Sequence, residues 1–138
     1  MGDGPAVNGS ASGETVSTFY ISGETVDTAP VGGVGVLAGG GEIDYAASPL
    51  LDEHIARQIR EGARHLVIDL SAATFIDSTA IGVLMGAVGS LRDTCGGTLA
   101  VVCVHENVLK ILEISGLQAA IALYRTREEA LSALALVA

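Results

Sequence analysis

Residues 74–91 read TFIDSTAIGVLMGAVGSL and follow a short apolar run, LVIDL, at residues 66–70. The apolar run is typical of a buried strand. Within the longer stretch, Asp77, Ser78 and Thr79 are residues that accept hydrogen bonds from first-turn N–H groups, so a helix is predicted to begin there. Apolar residues then recur at spacings of three and four and predict one stripe packed on a sheet, made of Ile81, Leu84, Met85, Val88 and Leu91.

The hydroxyl of Ser78 would lie where a helix favours negative charge. Free first-turn N–H groups and the helix dipole could hold a phosphate on Ser78 without any basic side chain. A phosphate would also add roughly −1.5 to −2 charge beside Asp77 and change which surface can dock there. The alternative interpretation is a plain N-cap, which contributes about 1 kcal/mol to stability and has no signalling role.

The opposite side of this predicted helix is small and uncharged. Val83, Gly86 and Ser90 fall opposite the apolar stripe, where charged residues normally stand. Gly82, Gly86 and Gly89 each cost the helix roughly 0.5 to 1 kcal/mol relative to alanine. Two interpretations stay open: this face docks a partner, or its small residues allow close packing inside the domain.

Composition points to one domain with an aliphatic core. The chain has 138 residues, of which 49% are hydrophobic but only 4% aromatic. That length suits a single core. The apolar runs are far shorter than the roughly 20 residues of a membrane span. The N-terminal residues contain neither basic residues nor a long apolar region, so export is not expected.

The net charge of −9 is unevenly distributed, because every basic residue follows residue 56 while half of the acids precede it. No basic face is available to displace counterions, which disfavours direct binding to nucleic acid. The acidic N-terminal half fits either a basic partner surface or a solvated face that serves solubility.

The two cysteines are predicted to stay reduced. Five residues of strand alone would separate Cys95 from Cys103 by about 16 Å, whereas a disulfide needs Cα atoms within roughly 7 Å. Reduced thiols fit a cytoplasmic protein.

Strands and helices are predicted to alternate along the chain. Residues 1–14 form a flexible tail and residues 15–138 the domain. Strands are predicted at residues 16–22, 34–38, 65–70, 99–104 and 121–124, with loops at residues 23–33 and 39–44. Helices are predicted to open with Ser48 as N-cap and Pro49 in the first turn, at residues 77–79, at Glu106 and at the Thr126 capping box. The helix at Glu106 is predicted to end at Ser115. This alternation favours parallel pairing, with an N-terminal strand pair that could be antiparallel. The uniformly apolar strand at residues 65–70 indicates either helices on both faces of the sheet or burial deep within the sheet.

Residues 75–84, FIDSTAIGVL, closely resemble the signature of STAS domains, in particular of anti-sigma factor antagonists. The quartet GEID at residues 41–44 resembles the Gly-Glu-Leu-Asp motif that these domains place between the second strand and the first helix. The resemblance spans residues 19–136. It departs from the family at Ala80, where a glycine is usual, and in the glycine-rich link between the first two strands.

The resemblance implies an α/β fold: a single STAS-like domain whose mixed, mostly parallel sheet has four to five strands, with about four helices. It also implies that a partner kinase, which is itself the anti-sigma factor and binds the ATP, phosphorylates Ser78. The unphosphorylated protein would bind this kinase and free the sigma factor, regulating transcription indirectly, and Asp44 would help to position the Ser78 hydroxyl. The predicted partner surface consists of Asp44, Asp77, Ser78, Thr79, Ile81, Gly82, Val83, Gly86 and Ser90.

Other functions are weighed against this one. A STAS module of another assembly, such as a stress-signalling complex or a lipid-transporter subunit, needs the fold but not the serine. An aspartyl-phosphate receiver needs a lysine at a strand end, whereas the only lysine, Lys110, lies within a predicted helix. No nucleophilic or metal-ligand spacing is present. The chain is therefore predicted to be a cytoplasmic binding protein without enzymatic activity or cofactor, and a homodimer is left open.

Overall fold

The computed structural model describes residues 19–27 and 33–136, which form one five-stranded sheet and four α-helices. The strands are β1 (Phe19–Asp27), β2 (Gly33–Ile43), β3 (His65–Ile76), β4 (Leu99–Val102) and β5 (Ala122–Tyr124), and the helices are α1 (Ser48–Arg60), α2 (Ser78–Cys95), α3 (Glu106–Ser115) and α4 (Arg127–Leu136). The strand order is β1-β2-β3-β4-β5, with β1 antiparallel to β2 and the other pairs parallel. The predicted mixed, mostly parallel sheet is confirmed.

Helices cover both faces of the sheet, which is one of the two arrangements that the apolar β3 indicated. Leu66 and Ile68 of β3 belong to the main core, which contains buried residues of α1, α2 and α3. Val67 points to the other face because side chains alternate along a strand, and there it packs with Ala130 and Leu134 of α4. Among the described residues, no helix is long and apolar enough to cross a membrane.

The first two strands are longer than predicted. The predictions placed a loop at residues 23–33 and another at residues 39–44, but β1 continues to Asp27 and β2 runs on to Ile43. Gly40 pairs with Tyr20, and a Cβ on Gly40 would overlap the Tyr20 ring. The glycines are therefore strand residues, and Gly40 makes room for an aromatic side chain, a tertiary contact that overrides its local preference for loops. The predicted strand residues 16–18 and the predicted tail lie outside the described residues.

Strand β3 also exceeds its prediction. It was expected to end at Leu70, yet residues 71–76 continue beside the end of β2, where Ile76 pairs with Ile43. This extension is paired with β2 only, because β4 already ends at Val102 rather than at the predicted Val104. Residues 71–76 are a mixture of small and polar residues, which is compatible with a half-exposed strand but is also typical of a loop, so the extension was not predicted.

The helix ends are mostly as predicted, with one correction at α1. Ser48 is not the cap of α1; the N-cap is Ala47, and the Ser48 hydroxyl donates to the Asp44 carbonyl oxygen at 2.9 Å. Helix α3 has the predicted bounds, Glu106–Ser115. At α4, Thr126 Oγ1 accepts the N–H of Glu129 at 3.1 Å, which is one half of the predicted capping box.

Candidate functional site

Asp77 joins β3 to α2 and fixes where the helix begins. It has an extended backbone, with φ −122° and ψ −174°, and acts as the N-cap. One of its carboxylate oxygens accepts the N–H groups of Thr79 and Ala80, each at 3.0 Å. Asp77 is therefore the cap residue among the three polar residues that predicted the helix start.

Ser78 is the first residue of α2, and it is exposed. No hydrogen bond within the described part of the chain involves its hydroxyl oxygen. Thr79 beside it is exposed as well. The hydroxyl of Ser78 is thus open to a modifying enzyme and is not used to hold the helix together.

The first turn of α2 does not offer the open anion site that the sequence predicted. Asp77 already occupies two of its N–H groups through its side chain, and its carbonyl oxygen accepts the N–H of Ile81 at 3.0 Å. Within the described residues, only the N–H of Ser78 in this turn lacks a partner. A phosphate on Ser78 would have to displace the Asp77 carboxylate or remain in solvent beside a like charge.

Asp44 and Asp77 lie next to each other, directly after the ends of the neighbouring strands β2 and β3. Because Ile43 pairs with Ile76, the two aspartates leave neighbouring parallel strands side by side. The Asp44 carboxylate accepts the N–H groups of Ala46 and Ala47, at 3.0 and 3.3 Å, and so shapes the turn into α1. No hydrogen bond joins it to Ser78 among the described residues, and no three acidic, His or Cys side chains there are arranged to hold a metal ion.

The buried face of α2 is rotated relative to the prediction. Its buried residues are Ala80, Ile81, Leu84, Ala87 and Leu91. Met85, predicted to face the sheet, is 46% exposed. The sequence pattern of bulky residues missed the two alanines, Ala80 and Ala87, which are buried as well.

The opposite face of α2 is formed by exposed residues with almost no charge. A Cβ added to Gly82 or Gly86 would meet nothing within 4 Å, which excludes close packing inside the described domain as their role. Ser90 is exposed too. Val83, predicted on this face, is instead half-buried and packs against the main core. We call the exposed set Ser78, Gly82, Met85, Gly86 and Ser90 the smooth face of α2.

An apolar groove runs from Ser78 towards α3, and the sequence did not predict it. It has a volume of about 440 Å³ and is lined by Phe75, Ile76, Asp77, Ser78, Ile81, Ile111, Ile114 and Ser115. Phe75 is 44% exposed and Ile114 is 76% exposed. The only signal of the groove in the sequence was Ile114, an isoleucine on the outer side of α3. It became informative only when the structure placed Phe75 on the other side of the groove.

Comparison with known proteins places this architecture in a family. A family model described as the STAS domain matches residues 25–130. An anti-sigma F factor antagonist of Paenibacillus polymyxa is 33% identical over 109 residues, which cover 76% of this chain and 90% of that protein. The crystal structure of an anti-sigma factor antagonist from Mycobacterium paratuberculosis superposes with a TM-score of 0.70 at 29% identity, over 83% of this chain and 93% of that one.

A more distant structure shares the fold. The anti-sigma factor antagonist SpoIIAA in its unphosphorylated form has a TM-score of 0.67 at 22% identity, over 80% of this chain and 92% of that one. Bacillus SpoIIAA in the phosphorylated form has a TM-score of 0.62 at the same identity, over 81% and 96%. With its matched family model, its relatives and its sheet order in agreement, this chain belongs to the STAS domain family and is related to the anti-sigma factor antagonists within it.

Proposed function

We propose that this protein is a cytoplasmic anti-sigma factor antagonist that binds an anti-sigma factor kinase and is released when Ser78 is phosphorylated. The observation that carries the proposal is the exposed Ser78 hydroxyl, free of hydrogen bonds among the described residues, at the start of α2. The names of the relatives support the role, and SpoIIAA, which shares the fold, has been described both with and without phosphate.

The proposed switch works by repulsion. Phosphorylation adds roughly −1.5 to −2 charge directly beside the Asp77 carboxylate. Since Asp77 already holds the N–H groups of Thr79 and Ala80, the helix start has little left to neutralise that charge. The nucleoside diphosphate left in the kinase after transfer is a second anion facing the new phosphate. A kinase surface that fits the neutral Ser78 hydroxyl would therefore no longer fit the phosphorylated protein.

The smooth face of α2 extends the proposed docking surface away from Ser78. Its glycines cost helix stability and contact nothing in the described domain, so a partner helix or loop could approach the backbone closely there. Gly82 lies one turn from Ser78 and Gly86 two turns, which keeps the surface continuous.

Phosphorylation by the cognate anti-sigma factor kinase tests the proposal. We expect incubation with ATP to add one phosphate to the wild-type protein, mapped to Ser78 by mass spectrometry. Ser78→Ala should take up none, and Thr79→Val, which removes the neighbouring exposed hydroxyl, should be modified like wild type. Phosphate on Thr79, or on no residue, would contradict the proposal.

Binding of the same kinase tests the release step. Ser78→Ala should bind ADP-loaded kinase like wild type in titration calorimetry, whereas Ser78→Asp and the phosphorylated protein should bind at least about tenfold more weakly, because like charges then face each other. Equal affinity of all forms would refute the switch. Co-purification with a transporter ATPase in place of a kinase would favour a role in another assembly.

A further inference from the structure

We propose that the apolar groove between α2 and α3 receives one large hydrophobic side chain of the anti-sigma factor partner, carried on a segment that also bears a basic residue. This inference rests on the proposed function, and it names the part of the partner that the Ser78 region recognises.

The shape and lining of the groove fit an apolar side chain. Its walls are Phe75 from the end of β3, Ile81 from the first turn of α2, and Ile111 and Ile114 from α3. Ile114 leaves most of its surface in water, so a bound apolar group would bury surface that the described fold leaves exposed. A concave apolar site with a few polar groups at its rim is the usual form of a binding pocket for such an anchor.

The residues on either side of the described domain contain few candidates for such an anchor. Residues 1–18 contain only Met1, Val7 and Val16 as large apolar residues, and they lead into β1, two strands away from β3 in the sheet. Residues 137–138 follow α4, which packs on the opposite face of the sheet from α2 and α3.

Charge disfavours a second copy and favours a basic partner. Glu42 pairs with Phe75 of the groove wall, and Asp44 and Asp77 follow at the ends of the same two strands. Asp77 lines the groove and the other two acids lie on the neighbouring strand or just after it, so the same acids of a second copy docked here would repel them. A partner segment with Lys or Arg beside its apolar anchor would complement both parts of the surface.

The position of Ser78 on the groove rim couples the anchor to the switch. An anchor that enters the groove removes water from the rim. A phosphate there is strongly hydrated and would have to lose water for the anchor to enter, so phosphorylation would close the groove without moving the backbone.

The test uses the ADP-loaded kinase and three exposed apolar positions. Ile114→Gln and Phe75→Thr alter the groove, while Val104→Gln is the matched control, since Val104 is 43% exposed but does not line the groove. We expect each groove variant to bind at least about tenfold more weakly and the control to bind within about twofold of wild type. Circular dichroism melting checks that each variant is folded, and analytical ultracentrifugation of the free protein checks for a second copy.

Each outcome has a separate meaning. If wild type binds the kinase and both groove variants bind equally well, the groove inference is wrong while the proposed function stands. If all three variants weaken binding alike, the groove has no special role and the inference also fails. A wild-type dimer that Ile114→Gln dissociates would assign the groove to a second copy instead. Absence of any binding by wild type would overturn the proposed function, and this inference with it.

Discussion

Asp77 is the residue on which both the start of α2 and the behaviour of Ser78 depend. Its carboxylate closes the first turn, and it is the charge that a phosphate on Ser78 would face. The same side chain therefore stabilises the unmodified state and opposes retention of the phosphate at the helix start.

Replacement of Asp77 by alanine should lower the free energy of unfolding by about 1 kcal/mol, because two N–H groups lose their acceptor. Asp77→Asn, which keeps an acceptor oxygen, should cost much less. Urea unfolding measures both. Asp93→Ala is the control, since Asp93 is an exposed acid in the last turn of the same helix and should change stability little. A loss with Asp93→Ala as large as that with Asp77→Ala would show that charge, not capping, matters.

Sequence reasoning worked at Asp77, whose carboxylate accepts N–H groups that follow it in the helix, and it failed at Ser48, whose hydroxyl instead donates to the Asp44 carbonyl oxygen four residues earlier. Asp77 lies next to the N–H groups it accepts, so residue type and spacing suffice. Ser48 has the same capping chemistry, but the turn set by Asp44 places its hydroxyl against a carbonyl oxygen instead.

At the level of secondary structure, the glycines of this chain serve opposite purposes. Gly97, between α2 and β4, lies against the Arg64 carbonyl oxygen, where no side chain fits, while Gly82 in α2 faces open space. The first is a requirement of the fold; the second costs the helix stability without any compensating contact in the described domain.

Gly82→Ala should therefore raise the free energy of unfolding by about 0.5 to 1 kcal/mol. Gly97→Ala, the control in a crowded position, should lower it, because the new methyl group overlaps the Arg64 carbonyl oxygen. Chemical denaturation of the two variants measures both effects. If the smooth face docks the kinase, Gly82→Ala should also bind it more weakly despite being more stable. A destabilised Gly82→Ala would mean that this face is packed.

The extent of correct prediction follows the range of the contacts involved. Helix α3 was predicted from its own apolar spacing and the terminal Gly116, all within a dozen residues, although its N-cap, His105, was not predicted. The glycine run of β2 and the second half of β3 were missed because each is a strand only by virtue of the other. The groove could not be predicted at all, since Phe75 and Ile114 meet through the packing of separate elements.

For the molecule as a whole, α4 is the only described helix that covers the second face of the sheet. An ion pair between Arg127 and Asp69 joins this helix to β3. Arg127 Nε lies 3.1 Å from an Asp69 carboxylate oxygen, and Ser71 donates its N–H and its hydroxyl to the other oxygen at 2.9 and 2.7 Å. Burial alone would raise the pKa of Asp69, but the hydrogen bonds from Ser71 and the nearby Arg127 outweigh it and lower the pKa below 3.8.

A lowered pKa means that the folded protein prefers the Asp69 carboxylate, so this stabilisation is present at neutral pH and is lost as the pH falls through the lowered value. Asp69→Asn should cost about 1 to 2 kcal/mol near pH 7, and the gap to wild type should narrow below about pH 4. Urea unfolding at several pH values measures this gap. Asp52→Asn, at an exposed position of α1, is the control and should show no comparable gap. A gap for Asp69→Asn that is independent of pH would refute the role of the charge.

Helix α2 spans the domain, and its two ends meet different demands. Its far end lies about 26 Å from Ser78, and there Gly96 adopts a left-handed conformation. The Cys95 thiol donates to the Arg64 carbonyl oxygen at 3.5 Å, and a Cβ on Gly97 would overlap the same oxygen. That end is committed to internal packing, while the end at Ser78 is the one that the proposed function assigns to a partner. Under that proposal, substitutions at the Ser78 end would change which partner is recognised without disturbing the packing at the other end, so recognition could diverge between relatives that fold in the same way.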